Sequence, residues 1–271
     1  MPLITISQDY GSHGYYVAQK VAQELQLALY DDETLREEAL KIGVNTENLG
    51  AMKEQVPGLF DRLLSVKPDV YLEVLQGVVY HVSSTNKGVI VGHGSQVLLK
   101  DFGCALHVRI ITPVEKRIRY FIEEKGLEKD LARKIVLSKD EEFKRFFRYA
   151  FNMDINDPLL YDLVINTDKV GIESAISHII ELAKSNEIVE CNINALKIMK
   201  SRALEKKIHA KLIQNGVVMT GIKVEVTEQG DAHVHGVINE ADEREKIIEI
   251  VGSISDLNKI EVNITVVPLF T

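Results

Sequence analysis

Five short apolar runs constrain the fold of this chain most: Leu3-Ile-Thr-Ile6, Ala28-Leu-Tyr30, Gly88-Val-Ile-Val91, His107-Val-Arg-Ile-Ile111 and Asp162-Leu-Val-Ile165. Each is nearly continuous rather than alternating, which predicts strands covered on both faces, and stretches with helical spacing lie between them. The ordering predicts an α/β fold, a parallel five-stranded sheet with helices on both faces. Thr34-Leu-Arg-Glu37 and Thr112-Pro-Val-Glu115 each put a hydroxyl three residues before a carboxylate, the pattern of a reciprocal helix cap, with Pro113 in the first helical position. Between Lys139 and Ala150 the spacing predicts a helix with Phe143, Phe146, Phe147 and Ala150 on one face and Lys144, Arg145 and Arg148 towards another.

The pattern changes after about Ile188. From Arg202 it reads helix, strand, strand, helix, strand. Leu204, Ile208 and Leu212 form an apolar stripe ended by Gly216. Ile222, Val224 and Val226 alternate, as do Ala232 and Val234, around a turn at Glu228-Gln-Gly-Asp231. Asn239 is placed to cap the next helix, which buries Ile247, Val251 and Ile254, and Ile260, Val262, Ile264 and Val266 alternate in a last strand. This predicts a small α+β domain of α-β-β-α-β order. The expected organisation is a first domain at residues 1–184, a linker at 185–201 and a second domain at 202–271.

Composition narrows the functional classes. With 45% apolar residues and only six prolines in 271, the chain has material for a sizeable core, which excludes collagen-like or mostly disordered architectures. A formal charge of −8 gives no overall electrostatic footprint for nucleic acid, so no nucleic-acid partner is expected. Cys104 and Cys191 match no metal or redox spacing, and their expected role is small apolar filler in a reducing compartment. No run of about 18 apolar residues offers a transmembrane segment, and the first residues lack the pattern of a secretory signal. The expected location is the cytoplasm.

The first strand runs into Ser7-Gln-Asp-Tyr-Gly11-Ser-His-Gly14 and then a helix. A strand, a tight glycine turn and a helix aim backbone N–H groups and a helix N-terminus at an anion. Around this turn, Ile4-Thr-Ile-Ser-Gln-Asp-Tyr-Gly-Ser-His-Gly14, Leu29-Tyr-Asp31, Val89-Ile-Val-Gly-His-Gly94 and Tyr161-Asp-Leu-Val-Ile-Asn-Thr167 follow in order. Over roughly residues 1–184 the chain resembles the cytidylate kinase-like family of P-loop nucleoside-monophosphate kinases. The resemblance implies a P-loop kinase-like sheet and phosphoryl transfer from ATP, with Mg²⁺, to a nucleoside monophosphate. It assigns Gly11, Ser12, His13 and Gly14 to the donor phosphates and Arg117 to the neighbourhood of the donor base. It gives Arg145 and Arg148 to a cationic lid that supplies catalytic charge, and Asp31 and His93 to the acceptor.

Departures from that pattern bear on activity. His93 stands where the family commonly has an arginine, so a bidentate, permanently charged fork is replaced by an imidazole. Against the ordinary Walker pattern, Gly14 occupies the lysine position and Tyr15-Tyr16 replace the glycine and the Mg²⁺-binding hydroxyl. The family's arginines around the loop give way to Gln8 and Tyr15, leaving a loop without cations, and Lys20 is about 9 Å further along the helix. Tyr15 and Tyr16 are expected to pack and close a vestigial site. Asp31 and Asp32 also have a plain reading, as the end of a strand and the start of a helix.

The segment Arg202–Pro268 resembles the BON domain, through Leu204-Glu-Lys-Lys-Ile208, Ile222-Lys-Val-Glu-Val226, Val234-His-Gly-Val-Ile238, Glu243-Arg-Glu-Lys-Ile247 and Ile260-Glu-Val-Asn-Ile264. The resemblance implies a non-enzymatic module with a protein or small-ligand partner. His233 and His235 share a strand face without an evident third ligand, so no metal site is expected. The expectation is a nucleotide-binding protein with weak or lost phosphoryl transfer, coupled to a ligand or interaction module. An active CMP-type kinase and a scaffold acting through its C-terminal domain are the alternatives.

Overall fold

Residues 2–41, 68–189 and 193–267 are described by a computed structural model of the chain. Two compact units divide it, one formed by Met1–Thr34 with Asn86–Asn192, the other by Leu35–Thr85 with Ile193–Thr271. The first holds β1 (Leu3–Gln8), α1 (Gly14–Leu25), β2 (Leu29–Tyr30) and the start of α2 (Asp32–Lys41), whose remainder belongs to the second, as does α3 (Pro68–Ser83). The chain returns to the first unit through β3 (Gly88–Val91), α4 (Ser95–Leu98), β4 (Ala105–Ile111), α5 (Val114–Glu123) and α6 (Lys129–Phe151). It then adds a 3-10 turn (Pro158–Leu160), β5 (Leu163–Asn166), α7 (Thr167–Val170), α8 (Ile172–Ala183) and α9 (Asn186–Val189). The second unit is completed by α10 (Ile193–Gln214), β6 (Ile222–Val226), β7 (Ala232–Ile238), α11 (Ala241–Gly252) and β8 (Ile260–Val266).

The five apolar runs form one sheet in the order β2-β3-β1-β4-β5, with all neighbours parallel. Near-continuous apolarity is required because the central strands are buried on both faces. Ile4, Ile6, Val89, Leu106, Val108 and Ile110 are fully buried, and Val17 and Val21 of α1 and Ile176 and Ile179 of α8 pack in the same core. The connection leaving β1 runs to the β2 side of the sheet, and the one leaving β3 passes β1 to reach β4. The loops at the carboxyl ends of β1 and β3 therefore diverge and open a crevice, the usual ligand position of such sheets.

The second unit contains the predicted α+β pattern. β6 pairs antiparallel with β7, and β8 joins β7 in parallel. Ile208, Leu212, Val224, Val234, Ile247 and Val251 form its core. At Gly236 a Cβ would collide with the Gly221 carbonyl oxygen, so this strand position requires glycine. The grouping by contact differs from the contiguous sequence boundaries, since residues 35–85 join the C-terminal unit. The reason is that α3 lies along α10. The stretch 185–201 is also largely helical, because α9 and the first turns of α10 occupy its described residues.

Several local expectations are corrected. Thr34 is not the cap of α2 but its third residue. Asp31 caps it, with Oδ1 accepting from the Thr34 amide at 3.0 Å while the Asp31 amide donates to Thr34 Oγ1 at 2.7 Å. The shorter Asp side chain reaches the amide three residues on, and the hydroxyl reaches back. Pro113 sits before α5 rather than within its first turn, and the Thr112 hydroxyl bonds Thr167 Oγ1 at 2.6 Å instead of capping. Residue Glu240, not Asn239, precedes α11, with no side-chain cap. Cys104 is buried but disulfide-bonded, so it is neither simple apolar filler nor an argument for a reducing compartment, and Cys191 lies outside the described residues.

Candidate nucleotide site

The turn after β1 is built around two glycines that cannot carry side chains. Gly11 has φ +83°, and a Cβ there would lie 2.8 Å from the Phe121 ring. At Gly14 a Cβ would lie 2.6 Å from the Cβ of Gln8, so the start of α1 presses against the end of β1. His13 is left-handed at φ +62°, and its carbonyl accepts from the Val17 amide at 3.0 Å. The turn is fixed to β4, because the Asp9 amide donates to the Ile110 carbonyl at 3.0 Å and the fully buried Ser12 hydroxyl points at the same oxygen, 3.5 Å away. No side chain caps α1, and no acidic residue stands in its first turn. The first helical N–H groups have no intrahelical partner, and this end carries the positive pole of the helix.

Tyr15 and Tyr16 do not pack into this cradle, which corrects the expectation that they close it. They are 39% and 43% exposed. The Tyr15 hydroxyl donates to Asp31 Oδ2 at 2.8 Å, and the Tyr16 ring lies under Lys20 Nζ at 5.7 Å. Lys20 also donates to Gln23 at 3.4 Å, so it is directed along the outside of α1.

Two arginines flank the turn, both buried and both paired. Arg109, opposite Ser7 in the β1/β4 register, donates to Ser7 Oγ at 2.9 Å and to Asp9 Oδ1 at 2.6 Å. Burial raises the Asp9 carboxyl above its ordinary value, against the opposing pull of Arg109 and Arg117. The Tyr161 ring lies 6.0 Å from the Arg109 guanidinium, and its hydroxyl donates to the Ile155 carbonyl at 2.7 Å and accepts from Gln96 at 3.1 Å. Arg117, assigned to the donor base by resemblance, is only 3% exposed. Its guanidinium holds both Asp140 carboxylate oxygens at 2.8 Å and the Tyr10 carbonyl at 3.1 Å, so in this structure it braces the turn. Arg145 and Arg148 project from α6 to solvent, with no ion pair among the described residues.

At the carboxyl ends of β2 and β3, Asp31 and His93 come into one neighbourhood through Asp32. His93 Nε2 lies 2.6 Å from Asp32 Oδ1. The hydrogen bond to His93 holds the Asp32 carboxyl below its ordinary value, against burial. For Asp31 burial acts upward, but donation from the Thr34 amide and the Tyr15 hydroxyl outweighs it and the carboxyl is lowered. Gly92, His93 and Gly94 all have positive φ, between +59° and +73°. His93 is buried, and its Nδ1 has no partner among the described residues.

Sequence reasoning missed Arg109, Asp9, Asp140, Gln96 and Tyr161. The signal for Arg109 was present, since a charged residue inside an apolar strand run must find a buried partner. Its partners come from the end of β1, the turn after it and the loop before β5, which spacing within the strand does not reveal. In the second unit, His233 Nδ1 lies 3.1 Å from Glu261 Oε2, and the described residues hold no group of three metal-ligating side chains.

The donor set at the turn suits the phosphate groups of ATP, because no side chain caps α1 and no acidic residue stands in its first turn. Among the described residues Mg²⁺ finds no pre-built ligand set, as Asp9 is committed to Arg109 and Ser12 faces Ile110. The parallel sheet order and the glycine turn at the head of α1 define a P-loop kinase-like protein. Residues 3–169 match the cytidylate kinase-like family, to which the chain belongs, and residues 201–268 match the BON domain. Among similar proteins, a cytidylate kinase of Staphylothermus marinus is 26% identical over 67% of this chain and 96% of its own length. A cytidylate kinase of Pyrobaculum islandicum is 26% identical over 65% of this chain and 89% of its own. The crystal structure of an uncharacterized protein from Eubacterium ventriosum superposes with a TM-score of 0.55 at 21% identity, covering 68% of this chain and 99% of that one. That likeness is one of fold.

Proposed function

We propose that this chain binds ATP and a nucleoside monophosphate of the CMP type, and that its phosphoryl transfer is slow or lost. The observation that carries this reading is the combination of an open backbone cradle with the absence, among the described residues, of an unpaired cation beside it. Binding uses the amides of Gly11, His13 and Gly14 and the positive end of α1, while the Ser12 amide donates to the Asp9 carbonyl at 3.1 Å and holds the turn in shape. Transfer needs charge placed where negative charge develops, and Arg109 and Arg117 are already neutralised by Asp9 and Asp140. Loss of one such preorganised group typically costs about 10²–10³ in rate, and this turn lacks more than one. Arg145 and Arg148 are the remaining candidates for the catalytic role, reaching the phosphates only by movement of α6. Their free guanidiniums support the alternative of a competent CMP-type kinase.

Asp31 and His93 are the proposed acceptor contacts, and Mg²⁺ arrives with the nucleotide. The chain is assigned to the cytoplasm, with kinase-like residues 1–184 working beside a BON module at 202–271 that recruits a protein or small ligand. Calorimetry with ATP, CMP and other monophosphates, followed by a coupled assay with ATP and Mg²⁺, tests the reading. The expected result is binding with turnover far below the usual enzyme rate of about 10 s⁻¹. Turnover at that rate favours the competent kinase, whereas no heat with any nucleotide favours a scaffold.

A further inference from the structure

Two buried polar atoms just past the carboxyl end of β3, His93 Nδ1 and Gln96 Oε1, have no partner among the described residues. One belongs to the turn after the strand and the other to α4. His93 is 9% exposed and Gln96 1%, so bulk water does not satisfy either. The turn is anchored beside the end of β1, because the Gly92 amide donates to the Ile6 carbonyl at 2.9 Å. Buried polar atoms nearly always find a partner, and two orphans within four residues at the mouth of the crevice require one from outside the chain.

The hydrogens around them identify both atoms as acceptors. The Tyr161 hydroxyl has a single hydrogen, which it donates to the Ile155 carbonyl at 2.7 Å. Towards Gln96, 3.1 Å away, the same oxygen can only accept. The Gln96 amide must therefore turn its NH2 group to Tyr161, and its carbonyl oxygen is the unpaired end. At His93, Nε2 lies 2.6 Å from Asp32 Oδ1. Their hydrogen bond holds the Asp32 carboxyl below its ordinary value, so at neutral pH that group is ionised and Nε2 carries the hydrogen. In the neutral imidazole Nδ1 is then a bare lone pair.

We infer that, given the proposed CMP-type acceptor, this end of the site reads the amino group of its base, with Gln96 and His93 as the specificity-determining residues. The two N–H bonds of one exocyclic amine are donated to Gln96 Oε1 and His93 Nδ1, which selects cytosine over uracil. The carbonyl oxygen of uracil in the same place meets two lone pairs and leaves both unpaired, the arrangement that rejects a wrong ligand most sharply. Both acceptors are closed to solvent, so the base enters by displacing a cover. The Phe151 ring, at the end of α6 and seated against Gly94, is the cover that this geometry offers.

The test uses the full chain. Long-range proton–nitrogen NMR at neutral pH, without ligand, reads the His93 tautomer first. Hydrogen on Nε2 and a bare Nδ1 are expected, and hydrogen on Nδ1 would overturn the inference. Calorimetry then compares CMP with UMP and cytidine with uridine. The wild type is expected to favour the amine in each pair by at least about tenfold, and Gln96→Leu to bring the ratio close to one. Asp32→Asn, on a largely exposed side chain, is the milder second variant: its amide no longer enforces hydrogen on Nε2, and the preference is expected to fall. Equal wild-type affinity for the cytosine and uracil ligands, or a preference that neither variant lowers, would overturn the inference and leave the two atoms as the seat of a buried water only. Those outcomes leave the CMP-type reading standing, whereas no heat with any of the four ligands refutes that reading and the amine selection with it.

Discussion

Gly14 shows how much one side-chain position decides in this site. It occupies the place where a Walker loop carries its lysine, and the backbone of α1 stands so close to Gln8 that a Cβ would lie 2.6 Å from the Gln8 Cβ. A lysine cannot be restored there by one substitution, because the clash is with the first atom of a neighbouring side chain rather than with a flexible end. Gly14→Lys is expected to abolish ATP binding by calorimetry and to leave turnover at background. In a Gln8→Gly background, which removes the colliding atom, ATP binding is expected to return. Arg109 teaches the converse lesson. Its charge was visible in the sequence, but its neutralisation by Asp9 was not, because the ion pair joins residues separated by 100 positions.

Among the elements, the strands of the sheet were legible because burial on both faces imposes an unbroken apolar run, whereas helix starts were read less well. Asp31 rather than Thr34 caps α2, since either polar side chain can reach an orphan amide and backbone geometry chooses between them. The pairing of α3 with α10 was also hidden, because an amphipathic stripe states that a helix packs without naming its partner. Its Glu73 makes the pairing dependent on pH. Burial pushes the carboxyl up, but hydrogen bonds from His209 and Lys206 and their charges outweigh it and hold it below its ordinary 4.5. The unfolded chain then takes up this proton at higher pH than the folded one. The contribution is fully present above about pH 4.5 and is lost as pH falls through the folded value. The urea midpoint, followed by helical circular dichroism, is expected to fall more steeply between about pH 5 and 3 in the wild type than in Glu73→Gln.

For the whole molecule, the three crossings between the units matter more than the order of domains along the chain. The donor cradle lies in the first unit, whereas residues 35–85 belong to the second and the chain returns to the first at the amino end of β3. ATP is therefore expected to slow hydrogen exchange around Gly11–Tyr16 without changing it in residues 193–267, and a saturating dose of about 100 times Kd adds roughly 2.7 kcal/mol to the stability of the bound state. Protection spread equally over both units would contradict that division. By itself the sequence determined the parallel sheet, the glycine turn, the family and the α+β pattern of the C-terminal module, since each follows from local periodicity or a short motif. Only the tertiary structure decided that the tyrosines stand clear of the cradle, that its nearest arginines are already paired, and that a helix of the kinase stretch packs with the C-terminal module. Those facts depend on contacts between residues distant in the chain, and distant pairing leaves no period in the sequence to read.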